Sequence, residues 1–118
     1  MRNALILSLL TGGILILAAS EYAAAAQNCG RASWYAMTSK TASGEQMNPA
    51  KMTAAHRDYS FGTKLRVINK RNGRSVIVRI NDRGPFVKGR IVDVSKAAAS
   101  KLGMINSGHA PVCIEKVS

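Results

Sequence analysis

The segment GTKLRVINKRNGRSVIVRIND, residues 62–82, decides the fold because it encodes two strands joined by a tight turn. Before the turn, Leu65 and Val67 alternate with basic residues, which is the period of a strand that is buried on one face. The turn carries Asn72 and Gly73, and Asn-Gly is the strongest short-range signal for a β-hairpin. The run SVIVRI after the turn provides the partner strand.

Three more short strands are predicted, one before this hairpin and two after it. They are ASWYAM (32–37), GRIVDV (89–94) and APVCIEKV (110–117). Ser95 is a good N-cap for the alanine-rich helix KAAASKL, which Gly103 ends. The run MTAAH, residues 52–56, could form one helical turn. Short strands at close spacing, with one or two short helices, predict a mainly β fold of the small-barrel type.

Residues 1–26 are predicted to be a secretory signal peptide, which leaves residues 27–118 as one small domain. Arg2 precedes an apolar run over residues 4–17, and four alanines at the end of the segment offer a cleavage site. The run is short for a membrane span and has no basic flank after it. We therefore expect an exported protein, either periplasmic or secreted.

Cys29 and Cys113 lie near the two ends of the predicted domain. Export favours a disulfide between them, since an oxidising compartment permits it and a small domain benefits from it. Two unpaired thiols are the alternative. Gln27 and Asn28 precede Cys29, whereas bacterial lipoprotein signals have small residues before the lipidated cysteine. We therefore expect neither lipidation nor a stable membrane anchor.

The charge of the chain is strongly positive, with 17 basic and 6 acidic residues and a net charge of +11. Long-range attraction then favours a polyanionic partner, although a charged surface that only maintains solubility is the alternative. Few aromatic residues and no DNA- or RNA-binding motif argue against nucleic acid. Cell-wall polymers or anionic membrane surfaces fit better, and we expect the domain to act as a monomer.

The segments ASWY and TASGEQMNPAKMTAAHRDYSFGTKLRVINKRNGRSVIVRINDRGPFVKGRIVDVSKAAASKLGM together resemble the rare lipoprotein A (RlpA) family of septal lytic transglycosylases. The likeness covers residues 32–117, with GE, TAAH, FGT, NG, VRINDRGPF and RIVDVS in the family's order and spacing. It implies a six-stranded double-psi β-barrel. It also implies endolytic cleavage of peptidoglycan glycan strands between MurNAc and GlcNAc, leaving 1,6-anhydroMurNAc ends.

The same barrel is similar to the catalytic cores of MltA-type lytic transglycosylases, of family 45 endoglucanases and of expansins. Two alternatives therefore stay open. One is an expansin-like module that binds peptidoglycan or another polysaccharide without cleaving it. The other is a hydrolase that uses water.

Asp93 and Asp82 each follow a predicted strand and are the first candidates for catalysis. The resemblance matches Asp93, in RIVDVS, with the catalytic aspartate of MltA-type enzymes and endoglucanases, and Asp82 with an aspartate found in RlpA and MltA-type enzymes. Ordinary glycosidases use two carboxyl groups, whereas a lytic transglycosylase can use one as acid and then as base. Structurally, Asp82 could instead form an Asx turn or pair with Arg83, and Asp93 could stabilise the following helix N-terminus.

Glu45 and His56 complete the candidate catalytic set, because they match the GE and TAAH segments of the RlpA family. Glu45 could orient sugar hydroxyls or act as a second carboxylate. His56 could hold a carboxylate or bind substrate, and a buried, hydrogen-bonded histidine is the structural alternative. We expect Glu45, Asp82 and Asp93 to share one solvent-reachable cleft.

Candidate substrate-binding residues are Trp34, Tyr35, Arg83 and Arg90, with Lys88 beside the last two. The two aromatic residues offer flat faces for sugar rings, although one of them is equally plausible as core. The basic residues could bind lactyl or peptide carboxylates through charge-assisted hydrogen bonds, and solvated charge is the alternative.

We expect no metal site and no other cofactor. His56 and His109 are far apart in the sequence, and the two cysteines are assigned to the disulfide. His109 matches no catalytic position of the family and is predicted to lie in a surface loop.

Overall fold

The structure is a computed structural model that describes residues 28–118, so the predicted signal peptide lies outside the described residues. The elements in chain order are β1 (Asn28–Tyr35), β2 (Thr53–Ala55), β3 (Lys64–Asn69), β4 (Ser75–Asp82), β5 (Arg90–Ser95), α1 (Lys96–Leu102) and β6 (His109–Lys116). The strands close into a barrel in the order β1–β5–β2–β4–β3–β6, and β6 pairs back with β1.

Two strand pairs, β1 with β5 and β2 with β4, are parallel, and all the others are antiparallel. This mixed, closed arrangement of six strands with one short helix confirms the predicted fold class. Closure leaves no unpaired sheet edge among these strands.

The hairpin that the sequence predicts is formed by β3 and β4, in which Leu65 lies opposite Val78. Gly73 adopts a positive φ of 77° in the turn, a conformation that glycine reaches without steric cost. The side chain of Asn69 is buried and donates to the carbonyl of Leu102 at 2.9 Å, which satisfies a free carbonyl at the end of α1. The hairpin is thereby joined to the helix.

The core lies inside the barrel and is built from alternating residues of all six strands. Its strand members are Ala32, Ala54, Leu65, Val67, Val78, Ile80, Val92, Val94, Ala110, Val112 and Ile114. Helix α1 closes one side with Ala98, Ala99 and Leu102, and its N-cap is Ser95, whose hydroxyl accepts from the N–H of Ala98. Gly103 ends the helix in the left-handed conformation, as predicted.

The prediction of a helical turn at MTAAH is wrong, because Thr53–Ala55 form strand β2. Alanine favours helix locally, but these backbone groups pair with β4 on one side and β5 on the other. Tertiary pairing thus overrides the local propensity. The prediction that His109 lies in a loop is also wrong, since it begins β6 and stays exposed there.

Cys29 and Cys113 lie opposite each other on β1 and β6 and form a disulfide. This confirms the predicted pairing, which joins the first and last strands of the barrel. The two cysteines are 84 residues apart in the sequence. Within residues 28–118, no helix combines the length and apolar character needed to cross a bilayer.

Replacing both cysteines, as Cys29→Ala with Cys113→Ala, should lower the free energy of unfolding by about 2–5 kcal/mol, because a long loop is no longer closed in the unfolded chain. Urea-induced unfolding measures the change. Adding a thiol reductant to the unmodified protein should reproduce it, and reductant should not affect the double variant. An unchanged unfolding midpoint would contradict this prediction.

Candidate active site

Asp82 and Asp93 lie on the outer face of the barrel, on either side of strand β2. Ala55 pairs with Asp82 of β4 and with Asp93 of β5. Because neighbouring strands are about 4.8 Å apart, this register places the two aspartate backbones about 10 Å from each other. The two predicted acids are therefore gathered on one face with the small side chain of Ala55 between them.

An irregularity in β4 turns Asp82 outward. Val78 and Ile80 point into the core, so strict alternation would point Asp82 inward as well. The register with β2 shifts instead, from Ala54 opposite Ile80 to Ala55 opposite Asp82. The skipped residue, Asn81, is buried. A bulge of this kind reverses the direction of the side chains that follow it.

Two backbone amides fix the carboxylate of Asp82. Its Oδ1 accepts from the N–H groups of Ala42 and Arg83, each at 2.9 Å. Ala42 belongs to the long loop between β1 and β2, and the N–H of Ser43 also donates to the carbonyl of Asn81 at 3.2 Å. The loop is thus held against the end of β4.

Glu45, in the same loop, forms a two-pronged ion pair with Arg79 on the outer face of β4. Both N–O distances are 2.8 Å. The hydrogen bond from Arg79 lowers the pKa of Glu45 below its ordinary value, and a contact with Asn81 acts in the same direction. The structure therefore brings Glu45 to the strand that carries Asp82, as an ionised carboxylate.

Asp93 contacts β1 and the start of β5. Ser33, its register partner on β1, donates from Oγ to Oδ1 at 2.5 Å, and Arg90 donates from Nη2 to Oδ2 at 3.0 Å. The side chain of Asp93 is 18% exposed, compared with 32% for Arg90, so the carboxylate can still be reached from solvent.

Tyr35 lies near both aspartates. Burial, and then the negative charges of Asp82 and Asp93, raise the pKa of its phenol above the ordinary value. The hydroxyl is buried and points toward Asp82, but it forms no hydrogen bond of acceptable geometry with the described residues. Tyr35 therefore keeps its proton, and its hydroxyl lies close to both carboxylates.

His56 follows Ala55 and is buried. Its Nδ1 accepts from the backbone N–H groups of Asp58 at 3.0 Å and Tyr59 at 3.2 Å, so the ring proton is assigned to Nε2. Burial lowers the pKa of His56, which favours the neutral ring. Its backbone N–H donates to the carbonyl of Asp82 at 3.1 Å. His56 thus shapes the turn beside Asp82.

Two of the predicted substrate-binding side chains form hydrogen bonds with the backbone of the domain itself. Trp34 packs against the core, and its indole N–H donates to the carbonyl of Ile105 at 3.3 Å. Arg83 donates to the carbonyls of His56 and Tyr59, and its guanidinium lies 4.0 Å from the centre of the Phe61 ring. Of the predicted binding residues, Tyr35 and Arg90 are the ones beside the acids.

Comparison with known proteins identifies the family of the chain. A sequence model of the family described as lytic transglycolase matches residues 27–114.

The chain belongs to the lytic transglycolase family.

Curated relatives of this lytic transglycolase domain carry the RlpA name. Over 75 residues the chain is 67% identical to the "Probable endolytic peptidoglycan transglycosylase RlpA" of Nostoc sp. This match covers 64% of this chain and 20% of the relative. Over 91 residues it is 52% identical to the "Endolytic peptidoglycan transglycosylase RlpA" of Neisseria meningitidis, covering 75% of this chain and 38% of the relative. The resemblance to RlpA is therefore confirmed, and the chain spans well under half the length of these relatives.

A solved structure with the same fold is a mutant Clavibacter michiganensis expansin in complex with cellohexaose. It is 26% identical to this chain with a TM-score of 0.60, and the match covers 78% of this chain and 50% of the expansin chain.

Sequence reasoning missed two side chains of the candidate site, Ser33 and Arg79. Ser33 reaches Asp93, and Arg79 reaches Glu45, across 60 and 34 residues of sequence. No local pattern marks either residue, since each partnership depends on how the strands and the loop are placed.

The buried neutral His56 should make the fold sensitive to mild acid. Its pKa in the folded state lies below the value near 6.5 of the unfolded chain, so the unfolded state takes up the proton first. The contribution of neutral His56 to the free energy of unfolding is therefore complete at pH values above about 6.5. It decreases as the pH falls from there through the lower pKa of the folded state. In His56→Asn, the side-chain oxygen can still accept the two backbone N–H groups without titrating.

Urea unfolding between about pH 7.5 and pH 5 tests this dependence. The His56→Asn variant should lose less stability over that range than the unmodified protein does. The matched variant Asn106→Ala, which changes an exposed side chain that has no titratable group, should follow the unmodified protein. Equal pH slopes for all three proteins would contradict the assignment.

Proposed function

We propose that this domain cleaves peptidoglycan glycan strands by endolytic transglycosylation, as the names of its RlpA relatives indicate for those proteins. The observation that carries the proposal is the placement of Asp82 and Asp93 on one outer face, with Asp93 in reach of solvent. A carboxyl group that donates and then accepts a proton is the least that this reaction requires.

The reaction breaks the bond between C1 of a MurNAc residue and O4 of the next GlcNAc. The acid transfers a proton to O4, which leaves as a hydroxyl group. The C6 hydroxyl of the same MurNAc bonds to C1 and gives its proton to the carboxylate that the first step produced. Atoms balance without water, and the new end is 1,6-anhydroMurNAc.

Asp93 is assigned the acid and base role. The Ser33 hydroxyl can donate to the carboxylate or accept from the carboxylic acid, so it can remain a partner of Asp93 in both forms. The salt bridge to Arg90, in contrast, is given up when Asp93 is protonated. Arg90 therefore needs another partner during the acid step.

The other acids are assigned electrostatic and orienting roles. Asp82, fixed as an acceptor of two backbone amides, places negative charge where positive charge develops at C1. Glu45, fixed by Arg79, is assigned to hydrogen bonds with sugar hydroxyls, and Tyr35 supplies a donor close to the two aspartates.

Two further observations support a polysaccharide outside the cytoplasm as the substrate. The structurally similar expansin was solved with cellohexaose, a β-1,4-linked glucan whose linkage matches that of peptidoglycan glycan strands. The Cys29–Cys113 disulfide fits an oxidising compartment. We propose that the exported domain acts on these strands as a monomer, without lipid anchor or nucleic acid.

Replacing Asp93 with Asn should lower the rate of glycan cleavage by about 10²–10⁴-fold, because the amide can neither donate the acid proton nor accept one as base. The matched control is Glu115→Gln, which removes a carboxylate from an exposed ion pair with Arg66 elsewhere on the barrel. The control should retain the activity of the unmodified protein. Thermal unfolding of both variants checks that the fold is intact.

Mass spectrometry of the products from purified glycan strands identifies the chemistry. A 1,6-anhydro end is lighter than a hydrolysed end by one water, so products carrying the additional water would mean a hydrolase. Strand binding without new chain ends would mean an expansin-like module. Either result would refute transglycosylation, and full activity of the Asp93→Asn variant would refute the assigned role.

A further inference from the structure

A basic pocket of about 460 Å³ lies beside Asp93 on the outer faces of β5, β1 and β6. Its polar lining residues are Arg31, Ser33, Lys88, Arg90 and His109, and we refer to this set as the basic pocket. Among the described residues, no acidic side chain lines it. Its volume lies in the range of pockets that take small ligands, so it can hold a group the size of a sugar substituent.

Strand register brings the pocket together. Ser33 lies opposite Asp93 of β5 on one side and opposite His109 of β6 on the other. Two pairs back along β1, beyond a shift in the register, Arg31 lies opposite Arg90. Arg31, Ser33 and His109 alternate with core residues of β1 and β6, and the register shift before Val92 lets Arg90 share their outer face.

The polar groups of the pocket are arranged as donors. Arg31 donates from Nη2 to Nδ1 of His109 at 2.8 Å, which assigns the ring proton of neutral His109 to Nε2. Arg31, Lys88 and Arg90 add positive charge around the same space. Basic residues from three strands and a loop thus surround one concave space, in contrast to single basic side chains on a convex surface.

We propose that the basic pocket binds a carboxylate carried by the glycan strand next to the bond that is cleaved. The inference rests on the proposed function for its choice of polymer. In peptidoglycan the carboxylate has two possible sources, the lactyl group of a muramyl residue and the stem peptide attached through that group. Ser33 and Arg90 belong to the pocket and also contact Asp93, so the carboxylate places a muramyl residue at the acid.

Arg90 links substrate binding to the acid step. It donates to Asp93 in this structure and also lines the pocket. A carboxylate bound beside Arg31 and Lys88 offers Arg90 the other partner that protonation of Asp93 requires. The strand itself would thus release Asp93 from its salt bridge.

Titration of the full chain with small muramyl compounds, followed by NMR chemical shifts, tests the pocket without any bond cleavage. The probes are N-acetylmuramic acid with a free lactyl carboxylate, its methyl ester, N-acetylglucosamine without the lactyl group, and muramyl dipeptide with its carboxylate on the peptide. We expect N-acetylmuramic acid or muramyl dipeptide to shift the amides around Arg31 and His109, with the ester and N-acetylglucosamine at least tenfold weaker.

The variant Arg31→Gln should weaken binding of the preferred acid by roughly tenfold or more. Lys101→Gln, which removes a charge from the last turn of α1, should leave that binding unchanged. Preference for N-acetylmuramic acid identifies the lactyl group as the source, and preference for muramyl dipeptide identifies the peptide.

Equal binding of the acid and its ester would overturn the proposal, as would equal effects of Arg31→Gln and Lys101→Gln. Absence of binding by either acid at millimolar concentration would also overturn it. These outcomes are independent of whether the domain cuts strands, because cleavage is measured on product ends. Selective binding without anhydro products would support carboxylate binding by the basic pocket and would refute the transglycosylase function.

Discussion

The pairing of β2 with strands on both of its sides is the constraint on which the rest of the site depends. This strand has three residues, all buried, and it is hydrogen-bonded to β4 and β5. Ala54 faces the core and Ala55 faces outward between Asp82 and Asp93. A larger residue at either position would have to displace core packing or the space between the acids, which gives a physical reason for two alanines here.

The few acidic side chains of the domain are held by specific partners, whereas most of its positive charge is not paired with an acid. Each of Glu45, Asp93 and Glu115 is paired with an arginine, and Asp82 is held by backbone amides. The acids at the candidate site are therefore fixed in position, whereas the adjoining pocket also holds Arg31 and Lys88, which form no salt bridge with the described residues. This distribution suits a substrate that is a neutral sugar polymer with carboxylates at intervals.

Residues that match family motifs divide into two groups in the folded chain. Trp34, His56 and Arg83 form hydrogen bonds with backbone groups and hold the core, a turn and a loop in place. Asp93 instead interacts with the side chains of Ser33 and Arg90 and stays partly exposed on the outer face. A match to a motif therefore does not tell whether a residue takes part in catalysis or holds a catalytic neighbour in position.

The sequence by itself determined the β-hairpin, the capped helix and the disulfide, because each depends on local periodicity, turn chemistry or residue type, whereas the candidate acids were chosen through the resemblance to the RlpA family. It gave a wrong structure for MTAAH, whose strand exists only through its two neighbours. Only the tertiary structure decided that Asp82 faces outward, that Ser33 and Arg79 hold acids distant in sequence, and that Arg31 and His109 form one pocket. The physical reason is that a bulge and the register of non-consecutive strands set these positions, and both arise from pairing across the barrel, which no short stretch of sequence encodes.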